Sequence, residues 1–297
     1  MTRFLRTFLA CCCFVVISYA HAASHAVVFY EAGFPAADSP SVAEGALHGA
    51  FADAEFAGAQ QLASALGKPE ANLLVMPYGS AYPEAAWPAI LGYLDRGGNL
   101  LVLGGKPFTR AAYSTGSGWQ LRAPSVAASL ELFIHDYQET PGSESLTFEP
   151  NHEVQPEVSS FHWKRAFSPV LRLSVVEKYH DGGTTGDEDF DLTTLAWGSK
   201  DGHKLAAPIF EIDHNQYRFV GGRWIFVACE PDADFFSDAQ RLSMLAELAT
   251  RENDRFTLRP RLPLFLPGEA LELRYEQVPG AWHADIPFSD IGREWAV

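Results

Sequence analysis

The sequence predicts an α/β fold, a three-layer sandwich whose central sheet is mainly parallel. Short apolar runs bounded by turn residues recur along the first half of the chain, as expected for strands that are buried on both faces of a sheet. Between these runs lie stretches in which apolar residues recur at helical spacing, so that strands and helices alternate. The clearest example is Ala71–Lys106, where the pattern predicts strand, turn, helix, turn and strand in that order.

Within this stretch, Ala71–Met76 and Asn99–Leu103 are the two apolar runs that predict strands. The helix between them is predicted from one apolar stripe, formed by Trp87, Ile90, Leu91 and Leu94. Pro83 suits the first turn of this helix, and Gly97-Gly98 provides its stop. Two strands joined by such a short crossover helix predict a right-handed βαβ unit.

The chain before this unit predicts one more strand and one more helix. Ala26–Tyr30 is the first strand, and residues 36–50, rich in Ala, Ser, Pro and Gly, predict an extended loop at the ligand-facing edge of the sheet. A helix face follows, formed by Phe56, Ala59, Leu62, Ala63 and Leu66, and Gly67 ends it.

Beyond Lys106 the pattern becomes less regular. Thr109–Pro124 predicts a loop and Val126–Tyr137 a helix, whereas Thr140–Pro169 has no sustained period. Further strands are predicted at Val170–Tyr179, Leu192–Trp197, Ala207–Asp213, Gln216–Val220 and Trp224–Cys229, with His214-Asn215 as a hairpin turn. Residues of about 140–215 are therefore predicted to form a β-rich insertion that rejoins the main sheet, and Ser237–Thr250 predicts the last helix.

The composition changes after Arg251, so we place the α/β domain at residues 23–251 and a second unit at 252–297. The stretch PLFLPGEALELRYE in the second unit is typical of the opening strands of a β-sandwich. Only about forty residues are available there, whereas a sandwich takes roughly 100. The unit is predicted to be either the beginning of a β-sandwich module or a C-terminal extension.

Residues 1–22 predict a signal peptide and therefore a periplasmic or secreted protein. Arg3 and Arg6 form the positive region, Phe8–Ser18 the apolar region, and Ala20-His21-Ala22 the small-residue cleavage site. The apolar region is shorter than the roughly 20 residues that a membrane span needs, so no stable span is expected after cleavage. Three of the four cysteines lie in this segment, and the fourth, Cys229, lies in an apolar run that predicts a buried thiol.

The formal net charge of −15 disfavours nucleic acid as a partner. Ordinary solubility is sufficient to explain a charge of this size. The histidines have no zinc spacing, and Asp187, Asp189 and Asp191 lack the later residues of a calcium loop. We therefore predict no metal and no cofactor.

Candidate ligand-binding residues lie in the loops that follow the predicted strands, because such loops face the ligand crevice of an α/β sheet. They are Glu31, Tyr78, Gly79, Ser80, Gly104, Gly105 and Lys106. Gly104-Gly105 could present backbone N–H groups to an anion or a sugar oxygen, or form a tight turn against another loop. No catalytic residue is predicted, because a nucleophile elbow of the form G-x-S-x-G is missing at these turns.

Two other kinds of residue are candidates by type alone. Cys229 ends a predicted strand and could pair with a histidine as a nucleophile, with a buried inert thiol as the alternative. Among the seven tryptophans, Trp119 and Trp163 lie in loop-like sequence, where an indole could reach a ligand. Trp87, Trp197 and Trp224 are predicted to belong to the core.

The run LLVMPYGSAYPEAAWPAILGYLDRGGNLLVLGG resembles the class I glutamine amidotransferase-like domain, in the divergent form attached to secreted glycoside hydrolases. Similar runs occur in trehalose-utilisation-like proteins and in the β-galactosidase trimerisation domain. The resemblance covers Ala26 to about Arg251 and implies a flavodoxin-like fold. True amidotransferases carry a nucleophilic cysteine after the strand that corresponds to Leu100–Leu103, whereas this chain has Gly104-Gly105, so the glutaminase chemistry is not implied.

The leading hypothesis is an exported, non-catalytic, amidotransferase-like accessory or assembly domain of carbohydrate-active enzymes. Its expected partners are a carbohydrate or small metabolite and either a second copy of the chain or a glycosidase. One alternative is a glycoside hydrolase fragment in which Glu31 and Glu230 form a carboxylate pair. Another is a sugar- or metabolite-binding protein that uses the crevice around Tyr78, Gly79, Gly104 and Lys106.

Overall fold

The computed structural model describes residues 25–154, 156–171, 190–214 and 218–251 in full, and the backbone of three further strands between 256 and 287. The predicted signal peptide lies outside these residues, as do Asp187 and Asp189. The strands, in chain order, are β1 His25–Phe29, β2 Glu55–Ala57, β3 Ala71–Met76, β4 Ala81–Pro83, β5 Asn99–Leu103, β6 Arg110–Ser114, β7 Trp119–Leu121, β8 Ile134–Glu139, β9 Thr147–Pro150, β10 Trp163–Leu171, β11 Phe190–Lys200, β12 His203–His214, β13 Arg223–Val227, β14 Cys229–Pro231, β15 Phe256–Pro260, β16 Glu272–Gln277 and β17 His283–Pro287. The helices are α1 Glu44–Ala50, α2 Leu62–Leu66, α3 Trp87–Leu94, α4 Ala127–Glu131 and α5 Ala239–Thr250.

The main sheet has eight strands in the order β2-β1-β3-β5-β13-β12-β11-β9. Strands β2, β1, β3, β5 and β13 are mutually parallel, and β12, β11 and β9 continue the sheet in antiparallel pairing. The strand-helix-strand unit predicted at Ala71–Lys106 is confirmed as β3, α3 and β5, in which Leu74 pairs with Leu100. The α/β character of the chain is thus confirmed, with a sheet that is mixed.

Apolar side chains on both faces of the main sheet explain why its strands are uninterrupted apolar runs. One core contains Val27 and Phe29 of β1 together with Leu62 of α2 and Ile90 of α3. The opposite core contains the alternate residue Val28, with Leu47 of α1 and three leucines of α5, namely Leu242, Leu245 and Leu248. Successive side chains of a strand point to opposite faces, so each strand contributes to both cores.

Several elements differ from their predicted form. The predicted helix around Phe56 is a short parallel edge strand, β2, and only Leu62–Leu66 is helical. The predicted helix Val126–Tyr137 ends at Glu131, since Phe133 has a left-handed backbone (φ 64°) that breaks the helix before β8 begins. Residues 36–50 were expected to be loop throughout, yet they contain α1.

The hairpin near His214 is also longer than predicted. Residues 218–220, the described part of the predicted strand Gln216–Val220, lie in a turn, and β12 pairs directly with β13. The Gly221 N–H closes this connection by donating to the His214 carbonyl at 2.8 Å. Thr109–Pro124 and Thr140–Pro169, which have no helical or strand period, contain β6 and β7 and then β9 and most of β10.

In the described part of the chain, three small sheets accompany the main one, in the orders β14-β10-β8, β4-β6-β7 and β15-β16-β17. The last is an antiparallel meander within residues 256–287, the region predicted to begin a β-sandwich. The boundaries drawn at residues 23–251 and 252–297 remain predictions.

An ion cluster is buried at the end of the main sheet where the parallel strands begin. Arg223 Nε lies 2.6 Å from Asp213 Oδ1 and 3.8 Å from Glu211 Oε2, and all three side chains are at most 5% exposed. Arg223 also donates to the Arg251 carbonyl at 2.7 Å. Burial of these charges is tolerated because the carboxylates and the guanidinium compensate one another.

On the opposite face of the sheet from this cluster, the His214 ring is enclosed by aromatic rings. Its centroid lies 4.0 Å from that of Trp224, 5.3 Å from Phe219 and 6.0 Å from Phe190. Among the residues that the structure describes, neither ring nitrogen has a hydrogen-bond partner. Burial lowers the pKa of His214 to about 3, so the imidazole is neutral in the folded protein at ordinary pH.

Candidate functional site

The candidate site lies at the edge of the main sheet where the parallel strands end. The loop Pro77–Ser80 follows β3, and Gly104-Gly105-Lys106 follows β5. The Lys106 N–H donates to Ser80 Oγ at 2.7 Å, so the two loops are in contact. The topology thus brings the predicted residues of both loops together, as expected for adjacent parallel strands.

Glu31 joins the same cluster through Tyr78. The Glu31 N–H donates to the Tyr78 hydroxyl oxygen at 3.0 Å, and that hydroxyl donates to the Glu31 carbonyl at 3.1 Å. Burial is the main reason that the pKa of Tyr78 is raised to about 12. The Glu31 carboxylate accepts from the Ala59 N–H at 3.0 Å, ahead of α2. All seven predicted ligand-binding residues therefore form one contiguous group.

The turn after β5 has no space for a side chain. Gly104 and Gly105 have left-handed backbones, with φ of 100° and 73°. A Cβ on Gly104 would lie 2.7 Å from Ser39 Oγ, and a Cβ on Gly105 would collide with the backbone nitrogen of Ser80. Of the two interpretations of the glycine pair, the tight turn against neighbouring loops is the one observed. The Gly105 N–H donates to the Cys229 carbonyl at 2.6 Å, so this N–H is not available to bind an anion.

The open crevice expected at this edge is filled by the chain itself. Residues 37–39 lie across the strand ends: the Ala37 N–H donates to the Tyr78 carbonyl at 3.2 Å, and the Ser80 N–H donates to the Ala37 carbonyl at 2.8 Å. Ser80 is fully buried as a result. Backbone pairing with this loop buries Tyr78, Gly79 and Gly104, whereas Lys106 is half-buried. Ligand binding at these residues remains a prediction.

A polar network borders this filled crevice, and two of its residues, Asp38 and Arg165, were not among the predicted site residues. Ser80 Oγ donates to Asp38 Oδ2 at 2.7 Å, and Arg165 of β10 donates to Asp38 Oδ1 at 2.7 Å and to Glu230 Oε2 at 2.8 Å. Burial lowers the pKa of Arg165, but hydrogen bonds to Glu230 and Asp38 outweigh it and raise the pKa overall. The Asp38 backbone is left-handed (φ 52°).

Sequence reasoning did not identify Asp38 or Arg165. Arg165 is separated from Asp38 by 127 residues, and it lies in a stretch without a periodic pattern. The only available signals were the placement of residues 36–50 at the ligand-facing edge and the earlier selection of Glu230. Arg165 fixes β10 to the loop of residues 37–39 and to β14.

Two cations lie against one buried ring beside this network. Lys106 Nζ is 4.8 Å from the centroid of Phe167, and the Arg165 guanidinium carbon is 5.4 Å from it. Phe167 is fully buried, and Lys106 is half-buried. Both positive groups thus lie against the ring's negative face, and Arg165 is also paired with Asp38 and Glu230.

The alternative carboxylate pair is not supported by the geometry. Glu31 follows β1 and Glu230 follows β13, and these strands are separated by three strand spacings, about 14 Å in all. Glycosidase pairs are at most about 9.5 Å apart. Glu31 is also occupied by the Ala59 N–H and Glu230 by Arg165 and Lys164, the last at 3.4 Å.

The remaining candidates are distributed away from this edge or buried. Cys229 is a free and fully buried thiol, and burial, with a contribution from Glu230, raises its pKa well above the usual range. A buried, protonated thiol agrees with the inert interpretation. Trp163 was predicted to be accessible to a ligand, but its ring is buried, and its Nε1 donates to the Ser143 carbonyl at 2.9 Å. Trp119 is half-exposed, with its ring 4.9 Å from Phe34.

Within the described residues, no group of three or more His, Cys, Asp or Glu side chains is arranged to hold a metal ion. Over the same part of the chain, no helix has the length and apolar character that crossing a membrane requires.

Comparison with known proteins gives only distant structural neighbours. No family model and no curated protein matches the chain. A β-galactosidase from Bacillus circulans sp. alkalophilus is similar at a TM-score of 0.43 and 10% identity, over 85% of this chain and 34% of that one. A β-galactosidase from Rahnella sp. R3 gives 0.38 and 12%, over 85% and 34%. An exo-β-1,4-mannosidase from Opitutaceae bacterium strain TAV5 gives 0.39 and 14%, over 76% and 36%. The chain thus spans about a third of the length of these glycoside hydrolases.

Proposed function

We propose that the chain is an exported, non-catalytic accessory or assembly domain of carbohydrate-active enzymes, built on a flavodoxin-like, amidotransferase-like fold. The observation that carries the proposal is the turn after β5. An amidotransferase needs a nucleophilic side chain at this turn, and here two left-handed glycines contact Ser39 and Ser80 where a Cβ would have to lie.

The other groups that could supply chemistry support the same proposal. The thiol of Cys229 is buried with a raised pKa, so little of it is the reactive thiolate. Glu31 and Glu230 follow strands β1 and β13, which are about 14 Å apart in the main sheet, whereas a glycosidase carboxylate pair is at most about 9.5 Å apart. Asp38 and Glu230 are both paired with Arg165, in a network that connects β10 to the edge of the main sheet.

Export and partners belong to the same proposal. The proposed signal peptide, residues 1–22, directs the chain to the periplasm or outside the cell, and the partner is a glycosidase or a second copy of the chain. N-terminal sequencing of protein recovered from the periplasm or medium tests the first point, with Ala23 as the expected first residue.

Turnover assays on the purified full chain test the absence of catalysis. We expect no release of ammonia from glutamine and no hydrolysis of aryl β-galactosides or β-mannosides above the buffer rate. Two variants serve as matched controls: Cys229→Ser for thiol chemistry and Glu230→Gln for carboxylate chemistry. Turnover by the natural chain that either variant abolishes would overturn the proposal and identify the residue responsible.

A further inference from the structure

The small sheet β4-β6-β7 has two chemically different faces. Tyr82 pairs with Ala111, and Tyr113 pairs with Gln120. Because side chains alternate along a strand, these four residues share one face. The opposite face contributes the fully buried Ala112 to the core. Tyr82, Ala111 and Tyr113 are half-exposed and Gln120 is exposed, so their face is the outward one.

Half-exposed aromatic rings dominate this outward face. Tyr82 and Tyr113 are diagonal neighbours on adjacent strands, which places them about 7 Å apart. Trp87, at the start of α3, extends the row, with its ring centroid 5.2 Å from that of Tyr82. Tyr82 and Trp87 both rest on the buried Phe108, at 5.9 and 5.2 Å. Packing on Phe108 holds these two rings in place while they remain half-exposed.

Polar groups lie along the same row of rings. Trp87 Nε1 donates to Glu131 Oε1 at 3.0 Å, and the Tyr113 hydroxyl donates to Gln120 Oε1 at 2.8 Å. Trp87 is thus flanked by a carboxylate and Tyr113 by an amide. Burial, followed by the nearby carboxylates of Glu84 and Glu131, raises the pKa of Tyr82, which remains a protonated hydrogen-bond donor.

The guanidinium of Arg122 completes the face. Arg122 Nε donates to both oxygens of Glu84, at 2.7 and 2.8 Å, and its guanidinium carbon lies 4.5 Å from the centroid of Tyr113. This pairing neutralises one acidic group of the face. Glu131 remains as an acidic group, which disfavours anionic ligands.

We infer that this face, formed by Trp87, Tyr82, Tyr113, Gln120, Glu84 and Arg122, binds a neutral oligosaccharide. Sugar rings present C–H faces that stack on aromatic side chains, and their hydroxyls both donate to carboxylate or amide oxygens and accept from guanidinium and phenol groups. The pairing register places no Leu, Ile, Val or Met on this face, whereas a protein partner would be expected to find an apolar centre there. The inference rests on the proposed function in one respect, that the ligand is a carbohydrate of a carbohydrate-active system.

Calorimetric titration of the full chain with cellohexaose, mannohexaose and β-1,4-galactotetraose tests the inference. We expect at least one of the three to bind, and Tyr113→Ala and Tyr82→Ala each to weaken that binding about tenfold. Tyr30→Ala is the matched control, because Tyr30 is a half-buried tyrosine that follows β1 and belongs to none of the strands β4, β6 and β7, and its loss should leave the affinity unchanged. Circular dichroism spectra verify that each variant is folded.

Three outcomes would overturn the inference. They are the absence of heat with all three oligosaccharides at millimolar concentration, an affinity that Tyr113→Ala leaves unchanged, and a dimer of the natural chain that Tyr113→Ala dissociates. The last outcome would assign the face to a protein partner. Binding is measured without turnover, so failure here leaves the non-catalytic proposal standing, and turnover in the earlier assays leaves this inference standing.

Discussion

The enclosed imidazole of His214 should make folding stability depend on pH in a way that one substitution removes. An unfolded histidine has a pKa near 6.5, whereas burial lowers the pKa of His214 to about 3 in the folded state. Between these values the unfolded chain binds a proton that the folded chain does not, so stability is complete above pH 6.5 and falls as pH decreases. With 1.36 kcal/mol per pKa unit, the loss at pH 4.5 is about 2 to 3 kcal/mol.

Urea unfolding followed by tryptophan fluorescence, at pH 7.5 and at pH 4.5, measures this effect. The variant His214→Phe keeps an aromatic ring among Trp224, Phe219 and Phe190 but cannot take up a proton. When the pH is lowered from 7.5 to 4.5, the free energy of unfolding of this variant should therefore fall by about 2 to 3 kcal/mol less than that of the natural chain. His135→Phe, which changes an exposed histidine, is the control and should not alter the pH dependence. Parallel pH profiles for the natural chain and His214→Phe would refute the reasoning.

Three other substitutions or reactions test separate parts of the structure. Gly105→Ala should destabilise the fold by about 2 to 4 kcal/mol in urea unfolding, because steric collision adds to the strain of a left-handed backbone. Gly116→Ala is the control, because Gly116 also has a left-handed backbone (φ 79°) but has open space around it; this variant should lose only about 1 kcal/mol of unfolding free energy, from backbone strain. Equal losses in the two variants would contradict the packing argument. Arg223→Met should lower the free energy of unfolding by about 3 to 5 kcal/mol, since it removes the guanidinium that is paired with the buried Asp213. A loss below about 1 kcal/mol would contradict the interpretation that these buried charges stabilise one another. Cys229 should resist alkylation by iodoacetamide in buffer and react in urea; equal rates in the two conditions would show that the thiol is accessible.

The parts of the fold that local sequence specifies were predicted well. Strands β3 and β5 and helix α3 follow from short apolar runs, a helical stripe and the Gly97-Gly98 stop, all of which act over a few residues. Phe56 was assigned to the wrong element because a three-residue edge strand is too short to show its own period. Similarly, the end of the predicted helix Val126–Tyr137 could not be located from the sequence, because the residue with the left-handed backbone is Phe133, an apolar residue in an apolar stretch.

The candidate site shows the same division between local and distant information. Tyr78, Ser80 and Gly104 could be selected because each follows a predicted strand. That the edge is filled could not be deduced, since it depends on residues 37–39 folding back onto the strand ends. Arg165 reaches the edge from a strand that the sequence pattern did not reveal. Contacts of this kind depend on tertiary packing rather than on local preference.

The glycine pair after β5 also limits how this surface can change. A reactive side chain cannot be installed there by one substitution, because Ser39 and Ser80 occupy the volume that its first carbon would need. Both serines, and the loop that carries Ser39, would have to move beforehand, which disturbs the hydrogen bonds of Ser80 to Asp38 and to the backbone of Lys106. Engineering an activity into this scaffold therefore has to begin with the covering loop.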